Sequence, residues 1–287
     1  DFWERRFCMN SNMILNRLFT QYNFDDLIQG QKNDVYISVI KRFVQDPLSK
    51  NNGEIISEIY SYMSKNYRNE YFYQNTLLNK LLLGRHSINT TTALTQIPIN
   101  KSKADFILIN GKAVVYEIKT ELDNFERLKN QINDYYKAFS HVCVVTCEEY
   151  YKKLIKILKN TNVGICILTN KNTLRFEKEP VADFSNITHK HLFKVLHKKE
   201  FEDILLEIFK KLPQATPAFY YDECYNWFES IPIMDAYKET LIQLKKRNKI
   251  TKEEFNRVPY ELKSLMYFNS NYDNDYKKLE LFLNKMY

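Results

Sequence analysis

The sequence predicts an α/β protein: a mixed β-sheet flanked by helices, with N-terminal helices before it and an all-helical region after it. Three observations support this fold class. Short apolar runs rich in β-branched residues recur between residues 93 and 169. Segments with helical periodicity separate the later runs, and alternation of this kind is typical of a sheet covered by helices. Outside this stretch, apolar residues recur at helical spacing.

The first 53 residues are expected to form an N-terminal helical segment. Residues 11–29 and 34–45 carry apolar side chains at intervals typical of short helices. Residues 54–83 contain no proline or glycine until Gly84, so we expect one long helix there, interrupted near Asn69.

The central region, residues 54–187, is predicted to be the core domain. Five strands are expected in it, at residues 93–99, 104–110, 113–120, 141–147 and 163–169. Asn110-Gly111 is a strong signal for a tight hairpin. Asp123, with Glu126 three residues later, is predicted to cap the following helix, which ends near Phe139. Strand signals stop near Pro180.

Residues 188–287 are predicted to form a C-terminal helical domain, because their period is helical and prolines interrupt it. These helices are candidates for contacts with substrate, a protein partner or a second copy of the chain. Two basic clusters, Lys152-Lys153 and Lys245-Lys246-Arg247, lie on predicted amphipathic helices. Such clusters are either solvated surfaces or contacts to nucleic acid.

Composition excludes several classes of protein. The chain has 287 residues, of which 44% are hydrophobic and 27% charged, as in ordinary globular proteins. Only five glycines occur, and no glycine-rich phosphate loop, which excludes a P-loop or Rossmann site. No run of about 18 apolar residues is present, so we expect a cytoplasmic protein without a membrane partner. The net charge of +7 allows a polyanionic partner.

The five cysteines are expected to be reduced and mostly buried. They form an odd number, they include no CxxC pair, and the chain is not a small secreted scaffold that needs disulfides. The histidines near residue 190 have no matching cysteines or carboxylates at zinc-binding spacing.

The residues most suggestive of chemistry are Asp105, Glu117 and Lys119. Asp105 lies on one strand of the predicted hairpin, and Glu117 and Lys119 lie on the next. Residues two apart in a strand share a face, so Glu117 and Lys119 are expected to point the same way. Two carboxylates suit a hard divalent cation such as Mg²⁺, and a lysine beside the ion could act on the attacking water or on the phosphate.

This pattern resembles the PD-(D/E)xK nuclease superfamily, which the chain matches with Asp105 and Glu117-Ile118-Lys119. In that superfamily a further acidic residue often comes from the helix before the hairpin, and Glu70 is the best match. Gln131 and Tyr135 resemble the QxxxY motif of RecB-type relatives. The whole layout is similar to a stand-alone bacterial nuclease-like family with a C-terminal helical region. The resemblance implies a restriction-endonuclease-like fold.

The resemblance also implies an activity: hydrolysis of DNA phosphodiester bonds with Mg²⁺ or Mn²⁺. Glu70, Asp105 and Glu117 would bind the metal, and Lys119 would act at the attacking water. Gln131 would brace the lysine or the substrate backbone, with Tyr135 one helical turn away on the same helix. Stand-alone relatives serve in phage defence, mobile-element biology or repair, which are the biological contexts to expect.

Alternatives remain open at this stage. Glu117 and Lys119 could form an ordinary ion pair, Glu58 could replace Glu70, and Gln131 and Tyr135 could be structural. The protein could be a catalytically idle adaptor that keeps the fold, or an enzyme directed at RNA. Endonuclease and exonuclease action are both compatible with the sequence.

Overall fold

A computed structural model describes residues 12–85, 88–247, 250–269 and 275–287. Two compact units are present. The sheet unit extends from Arg85 to Lys249, and the helical unit comprises the described residues up to Gly84 together with those from Ile250 to Tyr287. The limits of these units differ from the boundaries predicted at 53/54 and 187/188. The three-part division into domains therefore stays a prediction.

The helical unit is built from short helices. They are α1 (Ile14–Leu18), α2 (Gln21–Ile28), α3 (Asp34–Phe43), α4 (Asn52–Asn66), α5 (Glu70–Leu77), a π-helix (Leu78–Arg85), α12 (Lys252–Arg257), α13 (Lys263–Tyr267) and α14 (Asp275–Asn284). Two short 3₁₀ turns, Pro47–Ser49 and Tyr260–Leu262, accompany them.

Asparagine side chains set several of the helix limits in this unit. The side chains of Asn33 and Asn69 accept the backbone N–H groups of Tyr36 and Phe72, which fixes the starts of α3 and α5. Asn51 forms a reciprocal capping box with Glu54 at the start of α4. The predicted interruption of the long helix near Asn69 is thus confirmed.

The sheet unit contains six strands and six helices among its described residues. The strands are β1 (Thr92–Ile99), β2 (Ser102–Asn110), β3 (Lys112–Lys119), β4 (His141–Thr146), β5 (Gly164–Leu168) and β6 (Leu174–Lys178). The helices are α6 (Leu128–Tyr135), α7 (Tyr151–Leu158), α8 (His189–Val195), α9 (Lys198–Phe209), α10 (Tyr220–Glu229) and α11 (Ile233–Lys245).

The strands form one mixed sheet in the order β1-β2-β3-β4-β5-β6. β3, β4 and β5 are parallel, and the remaining neighbouring pairs are antiparallel. Gly111, at φ 69°, makes the tight turn between β2 and β3, as Asn110-Gly111 predicted. The α/β class, the mixed sheet and its flanking helices are therefore as expected from the sequence.

Helices α6, α7 and α8 pack on β2, β5 and β1 respectively. One apolar cluster contains side chains from one face of the sheet, such as Val115 and Val144, and from the helices above it, such as Ile132 and Leu154. Because α6 connects β3 to β4 and α7 connects β4 to β5, both helices begin near the carboxyl ends of parallel strands.

Two predictions about this unit were wrong. The strand β6 was not expected, because its sequence LRFEK alternates half-buried and exposed side chains at a sheet edge instead of forming an apolar run. The helix α6 begins at Leu128 and not at the predicted cap Asp123. The Asp123 carboxylate instead accepts hydrogen bonds from the backbone and hydroxyl of Thr120, which makes a separate turn after β3.

The region after Thr188 was predicted to be helical, and its described residues confirm this. The helices α8 to α14 account for most of them, and the one β-bridge that the described residues show there joins Met286 to Asn51.

Candidate active site

Two charged residues lie inside the apolar strand β3. The side chains from Ala113 to Lys119 are all buried, and Glu117 and Lys119 are only 1% and 8% exposed. Since side chains alternate along a strand, these two share the face of Ala113 and Val115, which is the face covered by α6.

The two charged residues are joined to each other and to α6. Lys119 Nζ donates to Glu117 Oε1 at 2.7 Å and to Gln131 Oε1 at 3.1 Å. Tyr135 donates its hydroxyl proton to Glu117 Oε2 at 2.5 Å. Gln131 and Tyr135 lie one helical turn apart on α6, so both reach the same strand. The structure thus brings together four of the six predicted site residues, which we call the Glu117 cluster.

Tyr135 is fully buried and serves as a hydrogen-bond donor. Burial raises the pKa of its hydroxyl well above the usual range, and the negative charges of Glu117 and Asp105 raise it further. The hydroxyl oxygen also lies 3.0 Å from the carbonyl oxygen of Lys103, at the start of β2. Tyr135 therefore stays protonated at neutral pH and fixes one oxygen of Glu117.

Asp105 lies at the point where β2 and β3 separate. The backbone pairing of the two strands ends at Phe106 and Tyr116. Beyond that pair, Asp105 Oδ2 accepts the backbone N–H of Ile118 at 2.8 Å, so a side chain replaces a ladder hydrogen bond. Asp105 is partly exposed, and its charge acts on Tyr135. These contacts bring Asp105 to the same end of the hairpin as Glu117.

Asp134 was not singled out from the sequence, yet it is buried and directly precedes Tyr135 on α6. Its carboxylate accepts hydrogen bonds from Asn100 at 2.6 Å, Ser102 at 2.8 Å and Lys137 at 2.8 Å. Burial acts to raise its pKa, but the hydrogen bonds from Lys137, Asn100 and Ser102 outweigh burial and lower it. Asp134 holds α6 against the turn that leads into the Asp105 strand. The one feature of the sequence that could have identified Asp134 is its position directly before Tyr135.

Glu70 is the sixth predicted site residue. It is exposed and is the first residue of α5, in the helical unit. Its participation stays a prediction. The alternative, Glu58, forms an ion pair with Lys50 at 2.6 Å, and the hydrogen bond from Lys50 lowers the pKa of Glu58.

The oxygen donors of Asp105 and Glu117 are of the kind that Mg²⁺ and Mn²⁺ prefer. Both oxygens of Glu117 already accept hydrogen bonds, so a cation would compete with the Lys119 amine for Oε1. Among the described residues, the three-donor cluster that could hold a metal consists of Glu121, Cys147 and Glu149. It includes none of the predicted ligands. Glu121 follows β3 in a turn, outside the first turn of α6.

Other sequence candidates have structural roles. Cys143, Cys147, Cys166 and Cys224 are buried free thiols, as expected, while Cys8 lies outside the described residues. Arg247 of the second basic cluster forms a two-pronged ion pair with Glu200, with both contacts at 2.6 Å.

Fold and site together define an α/β protein whose mixed sheet buries a carboxylate, a lysine and a tyrosine at the end of its central strands. Residues 63–266 match the family described as bacteriophage P4 protein cII, and the chain belongs to this family. No curated protein sequence matches the chain significantly. One solved structure is similar in part: a protein of unknown function from Silicibacter pomeroyi, at 10% identity and a TM-score of 0.29. The match covers 45% of this chain and 87% of that one.

Across the described part of the chain, no helix combines the length and apolar character needed to cross a membrane.

Proposed function

We propose that the protein is a metal-dependent nuclease that hydrolyses DNA phosphodiester bonds. The observation that carries the proposal is the Glu117 cluster: a buried glutamate that accepts hydrogen bonds from Lys119 and Tyr135, with Gln131 on the lysine and Asp105 beside it. The restriction-endonuclease-like variant of the α/β fold is part of this proposal.

The burial of Glu117 and Lys119 supports a functional role over a simple surface ion pair. Removing two charges from water is costly, and a buried ion pair often stabilises a fold no better than apolar side chains of similar volume. The remaining positions of β3 from Ala113 onward are occupied by buried apolar side chains. Charges at two positions of this strand are therefore better explained by chemistry than by stability.

Asp105 and Glu117 would hold the cation. When bound, Mg²⁺ or Mn²⁺ would lower the pKa of a water and neutralise charge on the phosphate. Tyr135 keeps Glu117 in one orientation through Oε2. Asp105 is restrained by the hydrogen bond that its Oδ2 accepts from the backbone N–H of Ile118, which limits how the carboxylate can be presented to a cation.

Lys119 would act on the water that attacks the phosphate. Its amine is held near the carboxylates by Glu117 and Gln131, and from there it can position the water or stabilise the charge that develops on the phosphate. Gln131 contributes by restricting the direction of the amine. The name of the family refers to a phage protein, which supports the expectation of a role in phage or mobile-element biology.

The test is incubation of the purified protein with circular single-stranded, circular duplex and linear DNA, with Mg²⁺, Mn²⁺ or EDTA. We expect metal-dependent cleavage that Glu117→Gln reduces by at least about 1,000-fold, because the variant loses a charged ligand. The matched control is Glu126→Gln, which makes the same chemical change at an exposed position. Cutting of circular DNA would establish endonuclease action.

Two results would contradict the proposal. If the parent protein leaves all DNA forms intact with either metal, the deoxyribonuclease assignment fails; cleavage of RNA in the same assay would redirect it to RNA. If Glu117→Gln cleaves as well as the Glu126→Gln control, the activity belongs to another site or to a contaminant.

A further inference from the structure

The helix α7 carries a stripe of positive charge on its solvent side. Lys152 and Lys156 on α7 and Lys159 at its C-cap are exposed and recur at i, i+4 and i+7, and we call them the α7 lysine stripe. Leu154 and Leu158 are buried in the core of the sheet unit. At 3.6 residues per turn, the stripe lies on the opposite side of the helix from these leucines.

The charge of the stripe is not neutralised locally. Residues 151–160 contain no aspartate or glutamate. No ion pair joins the three lysines to an acidic residue in the described part of the chain, whereas Lys137, Arg175 and Arg247 of the same unit do pair with acids. Glu148 and Glu149 precede the helix, but within it the lysines at i and i+4 have no acidic residue beside them, so they repel one another and favour a polyanionic ligand.

The stripe begins close to the segment that follows Lys119. The hydroxyl of Tyr150 lies 3.1 Å and 3.2 Å from the carbonyl oxygens of Glu121 and Asp123, just after β3. The ring of Phe125 packs edge-on against Tyr150, with centroids 5.2 Å apart, and Lys153 lies over Phe125. These contacts fix the first turn of α7 against the chain that leaves the candidate active site.

We propose that the α7 lysine stripe binds the sugar-phosphate backbone of DNA and guides the strand toward the Glu117 cluster, an inference that rests on the proposed nuclease function. Lys152 and Lys159 are seven residues apart, or about 10 Å along the helix. One strand of DNA carries one phosphate charge about every 3.4 Å of its axis, so a row of lysines of this length can face several phosphates. Phosphate contacts of this kind position the substrate without reading its sequence.

The experiment is binding of a fluorescently labelled DNA duplex, followed by anisotropy in EDTA at several salt concentrations. In EDTA the measurement does not depend on cleavage. The variant is Lys152→Gln/Lys156→Gln/Lys159→Gln. The matched control, Lys190→Gln/Lys194→Gln/Lys199→Gln, removes the same charge from exposed positions on α8 and α9. Thermal unfolding of both variants checks that each is folded.

We expect the stripe variant to lower the slope of log K against log salt by about 2 to 3, since each lost phosphate contact removes about 0.9. The dissociation constant should rise about 10-fold or more at 0.1 M salt, and the control should change neither quantity. Equal losses of DNA affinity in the two variants would show that the effect comes from net charge alone, and this would overturn the proposal. So would an unchanged slope, or a parent protein that binds RNA but no DNA.

The two proposals fail separately. A parent protein that binds DNA through the stripe but never cleaves it would contradict the nuclease function and leave the docking surface standing. Cleavage that depends on Glu117, together with a stripe variant that binds as the parent does, would contradict the docking surface alone.

Discussion

The helical unit and the sheet unit bury different kinds of polar side chain. Eight buried asparagines lie in the helical unit, at positions 12, 23, 33, 52, 69, 75, 79 and 269. The buried polar residues of the sheet unit include no asparagine among those described, but they include the charged Glu117, Lys119 and Asp134. The helical unit buries two charged residues as well, Lys263 and Asp275, so the units differ mainly in their buried amides.

Neutral amides connect distant parts of the chain in the helical unit. The Asn75 side chain donates to the Tyr60 hydroxyl and to the Tyr260 carbonyl oxygen, and it accepts the backbone N–H of Ser264, each at 2.9 Å. An amide can donate and accept at once without the cost of burying a charge. All three partners belong to the helical unit itself, so we expect such residues to stabilise its fold. A buried ion pair is a poor way to gain stability and is better explained by chemistry.

The largest effect should follow from Lys119→Met. We expect cleavage to fall about 1,000-fold, equivalent to about 4 kcal/mol in the barrier, because the amine that acts on the water is lost. Metal binding measured by calorimetry should persist, since the carboxylates remain. Lys112→Met is the control, because it changes an exposed lysine on the same strand. A Lys119→Met variant that cleaves normally would place Lys119 among the structural residues.

In the helical unit, Asn75→Ala should reduce the free energy of unfolding by about 3 kcal/mol, because the buried Asn75 amide makes three hydrogen bonds that the variant loses. Urea unfolding measures this change. Asn66→Ala, at an exposed position, should cost less than about 0.5 kcal/mol. At a temperature where Asn75→Ala is still folded, its metal binding should equal that of the parent. Loss of metal binding in the folded variant would contradict the purely structural role that we assign to Asn75.

Removal of the Tyr135 hydroxyl should have an intermediate effect. Tyr135→Phe frees Oε2 of Glu117, and we expect cleavage to fall about 10- to 100-fold, or about 1.4–2.8 kcal/mol. Tyr136→Phe is a sharp control, because the Tyr136 hydroxyl is buried without a hydrogen-bond partner among the described residues. That change should be neutral or slightly stabilising. Equal losses of activity in the two variants would indicate that only the packing of α6 matters.

The smallest effect concerns Asp134 and pH. Its pKa is lowered in the folded protein, so its contribution to stability is present above the pKa of the unfolded chain and is lost as pH falls through the folded pKa. Asp134→Asn should reduce the free energy of unfolding by about 1 kcal/mol at pH 7. Urea unfolding at pH 7 and near pH 3 should show the difference from the parent narrowing with acid. A constant difference would exclude the carboxylate as its source.

Local patterns predicted most of the sheet and part of the site. Apolar β-branched runs located β1 to β5, and Asn110-Gly111 located the hairpin, because those signals are contained in a few adjacent residues. The spacing of Glu117 and Lys119 predicted their common face, and the spacing of Gln131 and Tyr135 predicted a common turn of α6.

The remaining features depend on distant contacts. β6 forms because it pairs with β5, which would otherwise be the edge strand of the sheet. The sequence of β6 alone is only half apolar and is a weak strand signal. The role of Asp134 requires Asn100 and Ser102, more than 30 residues away, and Asn75 finds partners near residue 260. No window of neighbouring residues contains that information. The start of α6 was predicted wrongly because the Asp123 carboxylate accepts hydrogen bonds from Thr120 instead of capping the helix.

The discontinuity of the helical unit affects how the chain folds during synthesis. Asn52 donates to the carbonyl oxygens of Phe282 and Lys285, and Asn75 bonds to residues near 260, so α4 and α5 lack part of their hydrogen bonds until those segments leave the ribosome. The intervening sheet unit is continuous in sequence. At a synthesis rate of roughly 5–20 residues per second, roughly ten seconds or more pass between the synthesis of α4 and α5 and that of the rest of their unit. The sheet unit is synthesised completely within that interval.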